Sequence, residues 1–323
     1  MKFRLLLAAA ILVMLASGRG ATGKGPFIDW ENLSNPVYSR PGWSTKDACM
    51  AYRDGWFYVF FSAFYKDDGR ERSHVVGVKT RDWKTFSRPL FNWRGEEGGW
   101  IGMCSPNLTK VGDLYYLTYN SWGDKFLKPN RLFYAVSKDL EHWEKGKPLA
   151  RNITWGRRAI DAAVAHANGK YYLVWKEFQT PKAAWSYQMG ADGWHRLGEV
   201  TPDWFENGEL ISIDGAWHLL CTAGGLRGVH YPALREMQDS GEKEEHWTQW
   251  GEFQKLSVPV EDFNTNEAAN AAFLADWRRH DGHFYLIYAG RTEGKSHLGR
   301  GNNKLGLARS RDLKNWEVPG GGN

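Results

Sequence analysis

Asp54-Gly55-Trp56-Phe57-Tyr58-Val59-Phe60-Phe61 is a turn dipeptide that feeds a run of aromatic and β-branched residues. Gly55 supplies the positive φ of a tight hairpin, and the residues after it favour an extended chain. The same grammar returns four times: Val111-Gly112 before Leu114–Tyr119, Asn168-Gly169 before Tyr171–Trp175, Asp214-Gly215 before Trp217–Cys221, and Asp281-Gly282 before Phe284–Tyr288. Successive glycines stand 57, 57, 46 and 67 residues apart. Self-similarity at such a period marks a radial or stacked repeat.

A second signal recurs downstream within three of the units. Thr80-Arg81-Asp82-Trp83-Lys84-Thr85-Phe86, Ser137-Lys138-Asp139-Leu140-Glu141-His142-Trp143 and Ser310-Arg311-Asp312-Leu313-Lys314-Asn315-Trp316 share a hydroxyl residue, a basic residue, an Asp, an apolar residue and a trailing aromatic. The Asp side chain is expected to cap a turn, with the aromatic opening the outermost strand. Units of this length with about four strands each match propeller blades. Beyond the first residues the chain lacks long apolar stretches of helical period. The expected fold is therefore all-β, a five-bladed β-propeller with a central funnel-shaped site. The blades fall at about 44–92, 103–148, 158–198, 203–256 and 266–318, with 22–43 as a lead-in that supplies a closing strand. The polar run 238–245 reads as a solvated loop in the longest unit.

Composition narrows the classes further. The 323 residues carry 42 Lys+Arg against 37 Asp+Glu, a balance of +5 that gives no reason to expect nucleic acid as a partner. Lys2 and Arg4 precede an apolar run from Leu5 to Ala16 and small residues near Ala21, the order of a secretory leader. Residues 1–21 are thus expected to be removed, leaving a single domain over 22–323 that is secreted or periplasmic and not held at a membrane. Cys49, Cys104 and Cys221 have no CxxC spacing, which leaves open one bridge with a free thiol or three buried thiols, and indicates no zinc site. His166, His218, His230 and His297 likewise lack metal-ligand spacing, so no metal is expected among them.

The chemistry is sought where inner strands begin, because those positions converge on a propeller's axis. Asp47 stands seven residues before Asp54, Asp161 seven before Asn168, and Glu206 eight before Asp214. Carboxylates gathered in one funnel raise one another's pKa, which a purely structural role would not favour. Glycoside hydrolysis uses such a cluster: an ionised carboxylate activates water, a protonated one donates to the leaving oxygen, and a third tunes the donor.

On these residues and the blade pattern, the sequence resembles glycoside hydrolase family 43 and its five-bladed relatives in families 32, 68, 62 and 117. The resemblance implies an inverting glycosidase with Asp47 as general base, Asp161 as pKa modulator and Glu206 as general acid. It implies no cofactor for catalysis, and it allows a structural cation in the central channel. The substrate it suggests is a plant or algal oligosaccharide or polysaccharide fragment with arabinose, xylose or galactose units. Trp43, Trp100, Asn107, Lys176, Asn270 and Arg291 are the candidate substrate-binding residues, the two indoles as stacking walls. Glu209 and Glu267 stand in reserve as carboxylates. The alternative is a propeller that binds carbohydrate without cleaving it, motivated by Ala48 and Ala162 standing where the family has proline, and by Glu206-Asn207-Gly208 in place of Glu-Gly-Pro.

Overall fold

The computed structural model describes residues 26–95, 100–123, 129–200, 206–224, 230–265, 269–295 and 301–320. The leader region, Glu267 and His297 lie outside them. Among the described residues, twenty strands form five antiparallel units of four. Blade 1 holds β1 (Ser44–Arg53), β2 (Trp56–Asp67), β3 (Arg70–Thr80) and β4 (Phe91–Trp93). Blade 2 holds β5 (Gly102–Val111), β6 (Leu114–Trp122), β7 (Leu132–Ser137) and β8 (Glu144–Pro148). Blade 3 has β9 (Ala159–Ala167), β10 (Lys170–Glu177), β11 (Thr180–Ser186) and β12 (His195–Glu199). Blade 4 has β13 (Glu206–Ile213), β14 (Ala216–Ala223), β15 (Tyr231–Glu236) and β16 (Gln254–Lys255). Blade 5 has β17 (Asn270–Asp276), β18 (Phe284–Arg291), β19 (Asn303–Ser310) and β20 (Trp316–Glu317).

The inner strands β1, β5, β9, β13 and β17 each touch the next, and β17 touches β1, so the ring closes. The lead-in joins the seam: Tyr38 exchanges backbone hydrogen bonds with Leu305 of β19, and Asn35 donates to the Leu307 carbonyl at 2.9 Å. A blade has a neighbour on each face, so β2 buries Phe57 through Phe64 without alternation. Burial on both faces is why the hairpin strands read as continuous aromatic runs.

The hairpin turns form as the sequence requires at Asp54-Gly55, Asn168-Gly169 and Asp214-Gly215, where both residues of each pair have positive φ. The fifth differs. Asp281 ends a one-turn helix, α2 (Arg278–Asp281), and Gly282 caps it at φ 84° instead of turning a two-residue hairpin. The run 238–245 is largely exposed, as expected of a solvated loop. It leads into a 3-10 helix (Glu244–Thr248) whose Trp247 is fully buried and stacks on Tyr172 of blade 3 at 3.8 Å.

The outer turns use their Asp as expected. Asp139 Oδ1 accepts the amides of Glu141 and His142 at 2.9 and 2.8 Å, and Ser137 Oγ accepts that of Leu140 at 2.9 Å. Asp82 and Asp312 make the same pair of bonds in blades 1 and 5. Each motif puts its apolar residue, Trp83, Leu140 or Leu313, at φ near 60°. All three cysteines are buried free thiols.

Candidate active site

Each inner strand carries one extra residue near its start. In blade 1 the pairing steps from Lys46–Ser62 to Cys49–Phe60, and equivalent slips follow Cys104, Ile160, Glu206 and Asn270. The first extra residue of each bulge is left-handed: Asp47 (φ 55°), Ser105 (53°), Asp161 (56°), Asn207 (51°) and Ala271 (49°). Asp and Asn tolerate this conformation better than most residues, and a bulge re-aims the side chain it carries. Together with the residues after them, these five ring a small axial cavity of about 20 Å³.

The bulges correct the register expected from sequence. Asp47 and Asp161 occupy the same position in their blades, but the blade 4 equivalent is Asn207. Glu206 sits one residue earlier, in register with Lys46, Cys104, Ile160 and Asn270. The three carboxylates therefore occupy two tiers. Both tiers open into one cavity of about 440 Å³, lined by Asp47, Asp161 and Glu206 together with Lys46, Arg158, His230 and Arg291.

The surroundings of the three acids differ. Asp47 is buried; Ser62 donates to its Oδ2 at 2.7 Å and Asn207 to its Oδ1 at 3.0 Å. Asp161 is only 5% exposed. Burial pushes its carboxyl pKa up, and the charges of Glu206 and Asp47 add to that against the opposing pull of Lys176. Glu206 is the most open of the three, its side chain 22% exposed. Its partial burial works to raise the pKa, but Lys46, Lys176 and His230 outweigh this and hold it below the usual range. Lys176, almost fully buried, donates to Glu206 Oε1 at 2.9 Å.

Lys176 breaks a repeat. The residues paired with Lys46, Cys104, Ile160, Glu206 and Asn270 on the second strands are Ser62, Asn120, Lys176, Thr222 and Ala289. Ser62, Asn120 and Thr222 each accept the bulge amide of the next blade, from Ser105, Asp161 and Ala271, at 2.8, 3.0 and 2.9 Å. At the matching place blade 3 sends an ammonium to Glu206 instead.

Of the substrate-binding candidates, Asn270 and Arg291 line the cavity. Four stand elsewhere. The Trp43 ring stacks on Tyr65 at 4.7 Å and takes the Arg40 guanidinium at 3.9 Å, so it packs beside the funnel instead of walling it. Trp100 belongs to a separate cleft. Asn107 lies beyond its bulge on the axial cavity and donates to the Gly208 carbonyl at 3.1 Å, bracing blade 2 on blade 4. Lys176 is spent on Glu206. The reserve acid Glu209 is buried between blades, where its carboxylate accepts the Leu274 amide at 2.7 Å and burial pushes its pKa well up.

Lys46, Asn130 and Arg158 are wall residues that the sequence did not mark as substrate-facing. A signal for Lys46 was present: it precedes Asp47 as Glu206 precedes Asn207. Arg158 and Asn130 come from connections whose course a repeat does not dictate. Among the described residues, no group of three His, Cys, Asp or Glu side chains is arranged to hold a metal ion.

No protein-family model matches the chain. A 119-residue segment is 23% identical to a 1,2-β-oligomannan phosphorylase of Thermoanaerobacter sp. (strain X514), covering 36% of this chain and 34% of that protein. The match thus spans about a third of that relative's length. Among solved structures, one from work on GH130 mannoside phosphorylases and on hydrolases that target β-1,2 mannosidic linkages in Candida mannan superposes with a TM-score of 0.64. The two are 18% identical, over 89% of this chain and 94% of that one. A thermostable family-43 glycoside hydrolase superposes with a TM-score of 0.59 at 14% identity, over 89% and 96% of the two chains. The chain has the five-bladed propeller fold of these glycoside hydrolases.

Proposed function

We propose that the protein is an exported carbohydrate-active enzyme, a glycoside hydrolase that cleaves oligosaccharide fragments by inversion. One observation carries the proposal: three carboxylates at the propeller axis open into one cavity, and their surroundings drive two of their pKa values in opposite directions. Divergent pKa values within one site are how acid and base roles are separated. On that ground the roles of Asp161 and Glu206 are exchanged relative to those the resemblance implies.

Asp161, whose burial favours the neutral carboxyl, is assigned the proton. It donates to the glycosidic oxygen as the bond from that oxygen to the anomeric carbon breaks. Asp47 acts as base: a carboxylate offers about four lone-pair sites, and Ser62 and Asn207 use two. A water bound to Asp47 gives up a proton to it as the water oxygen bonds to the anomeric carbon. Glu206, its pKa held down by Lys46 and Lys176, supplies a field that favours the protonated form of Asp161. Asn270 and Arg291 are placed to hydrogen-bond sugar hydroxyls.

A second reading has its own observation. Lys46, Arg158, Arg291 and His230 give the cavity wall a surplus of basic groups suited to inorganic phosphate. Phosphate would then replace water as nucleophile, consistent with the name of the phosphorylase relative.

The test is incubation with arabino-, xylo-, galacto- and β-1,2-manno-oligosaccharides, with and without 10-fold excess phosphate, followed by NMR of the released sugars. Hydrolysis predicts free sugar of inverted configuration independent of phosphate, and phosphorolysis predicts a sugar 1-phosphate. Saturable binding with no product in either arm would favour the non-catalytic propeller.

A further inference from the structure

The cleft that holds Trp100 lies at the funnel's edge. It measures about 250 Å³, and Trp100, Arg131, Phe133, Pro148 and Trp155 contribute to its wall. Two chain segments serve both cavities. Asn130 lines the funnel and Arg131 the cleft; Arg158 lines the funnel and Trp155, three residues earlier, the cleft. The amide of Ala159 donates to the Asn130 carbonyl at 3.0 Å, binding these two segments into one partition.

Trp155 is 62% exposed, yet its backbone is fixed. It follows a one-turn helix, α1 (Arg151–Thr154), and has φ −58° and ψ 130°. Gly156 follows at φ 73°, and Arg157 donates its amide to the Thr154 carbonyl at 3.1 Å. That is a type II turn, with Gly at the position needing positive φ and the indole at its tip. The Arg131 guanidinium stands 4.0 Å from the Trp155 ring centroid and 6.0 Å from that of Trp100. The Arg131 backbone is held, because its amide donates to Ser121 Oγ at 2.9 Å and its carbonyl accepts the Ser121 amide at 3.0 Å.

A singly exposed aromatic needs no explanation. Here two indoles, a phenyl ring and a guanidinium form one wall beside a polar cavity, the pairing of apolar faces and donors that a pyranose or furanose presents in return. We infer that this cleft holds a sugar unit of the substrate chain distal to the scissile bond, so that a chain leaves the funnel between blades 2 and 3 across Trp155. The inference rests on the carbohydrate reading above and commits that reading to oligomeric substrates.

The test uses the full chain. Wild type, Trp155→Ala and Asp161→Asn are run in native affinity gels containing arabinan, xylan, galactan or β-mannan, and KM is measured against chain length for any oligosaccharide cleaved. Wild type and Asp161→Asn are expected to be retarded in the same gel. Trp155→Ala is expected to lose affinity by on the order of 10-fold, with a matching rise in KM for long chains. Its kcat/KM on the shortest substrate stays at the wild-type value. Equal retardation of Trp155→Ala and wild type overturns the inference, as does a change in oligomeric state alone, which would assign the cleft to a second copy of the chain. Cleavage with no dependence on chain length removes the cleft and leaves the active site standing. No retardation and no cleavage in any arm removes both.

Discussion

The outer turns and the inner bulges are both repeated backbones, and they treat their side chains in opposite ways. In the outer turns of blades 1, 2 and 5 a Thr or Ser hydroxyl accepts the Asp amide and that Asp accepts two later amides, the same bonds three times. At the inner bulges the backbone is repeated five times while the side chain changes: Asp, Ser, Asp, Asn, Ala. Where side chain and backbone repeat together, the residue serves the fold. Where the backbone repeats and the side chain does not, selection has acted on something else. Lys176 follows that logic one strand out, as a lone ammonium among Ser62, Asn120, Thr222 and Ala289.

The comparison is broken most severely at a bulge acid. Asp161→Asn is expected to lower kcat on a natural substrate by about 10²–10⁴-fold, the usual worth of a general acid. The same change should stabilise the protein at neutral pH. Asp161 has a raised native pKa, so above the unfolded value near ~3.9 the unfolded chain ionises more readily than the native one, and folding loses free energy. Asn removes that cost, raising Tm at pH 7 by on the order of 2 °C, with the difference vanishing below about pH 4. A variant both inactive and less stable at pH 7 would show that Asp161 serves the fold.

Next comes the ion pair. Lys176→Met leaves Glu206 without its buried ammonium and should cost on the order of 3 kcal/mol in denaturant unfolding. Adding Glu206→Gln should recover much of the loss, which a double-mutant cycle measures. Glu206→Gln alone should lower the Asp161 pKa, moving the basic limb of the pH–rate profile to lower pH. An unmoved limb would mean that Glu206 exerts no field on the donor.

The smallest effect belongs to the outer turn. Asp139 has its pKa held down: slight burial works upward, and hydrogen bonds from the His142 and Glu141 amides and from the His142 and Ser137 side chains outweigh it. Its stabilisation is present above the unfolded value near ~3.9 and fades as pH falls through the native one. Asp139→Ala should cost about 1 kcal/mol, since the group is largely solvated and screened. Catalysis should be unchanged.

The propeller was readable because its blades are built by repetition, and repetition survives in sequence as spacing. Asp47 and Asp161 were readable for the same reason, being seven residues from turns of the same kind. Glu206 was found but misregistered, because counting from Asp214 ignores where the bulge falls. The fifth turn was misread because Asp281-Gly282 spells a hairpin, while Arg278, paired to Asp214 and Asp276, helps hold a turn of helix there. Trp43 was misplaced because an indole near the inner strand has several neighbours to pack on, and only three dimensions show that Tyr65 and Arg40 take up its ring, while Trp100 stands in the cleft beside the funnel. The exchange of acid roles was beyond the sequence altogether. As proposed, it depends on how deeply Asp161 is buried and on Lys46 and Lys176 beside Glu206, the second lysine reaching across a blade boundary from 30 residues away.

The most direct measurement is the leaving-group dependence of Asp161→Asn and Glu206→Gln, comparing a natural oligosaccharide with the 2,4-dinitrophenyl glycoside of the sugar that wild type releases. Dinitrophenolate departs without a proton, so loss of the true donor is masked on that substrate alone. The account predicts that Asp161→Asn keeps close to the wild-type rate on the dinitrophenyl glycoside while losing at least about 10²-fold on the oligosaccharide, and that Glu206→Gln shows no such selectivity at pH values below the basic limb of its own pH–rate profile, where Asp161 still carries its proton. Rescue of Glu206→Gln in place of Asp161→Asn would contradict it.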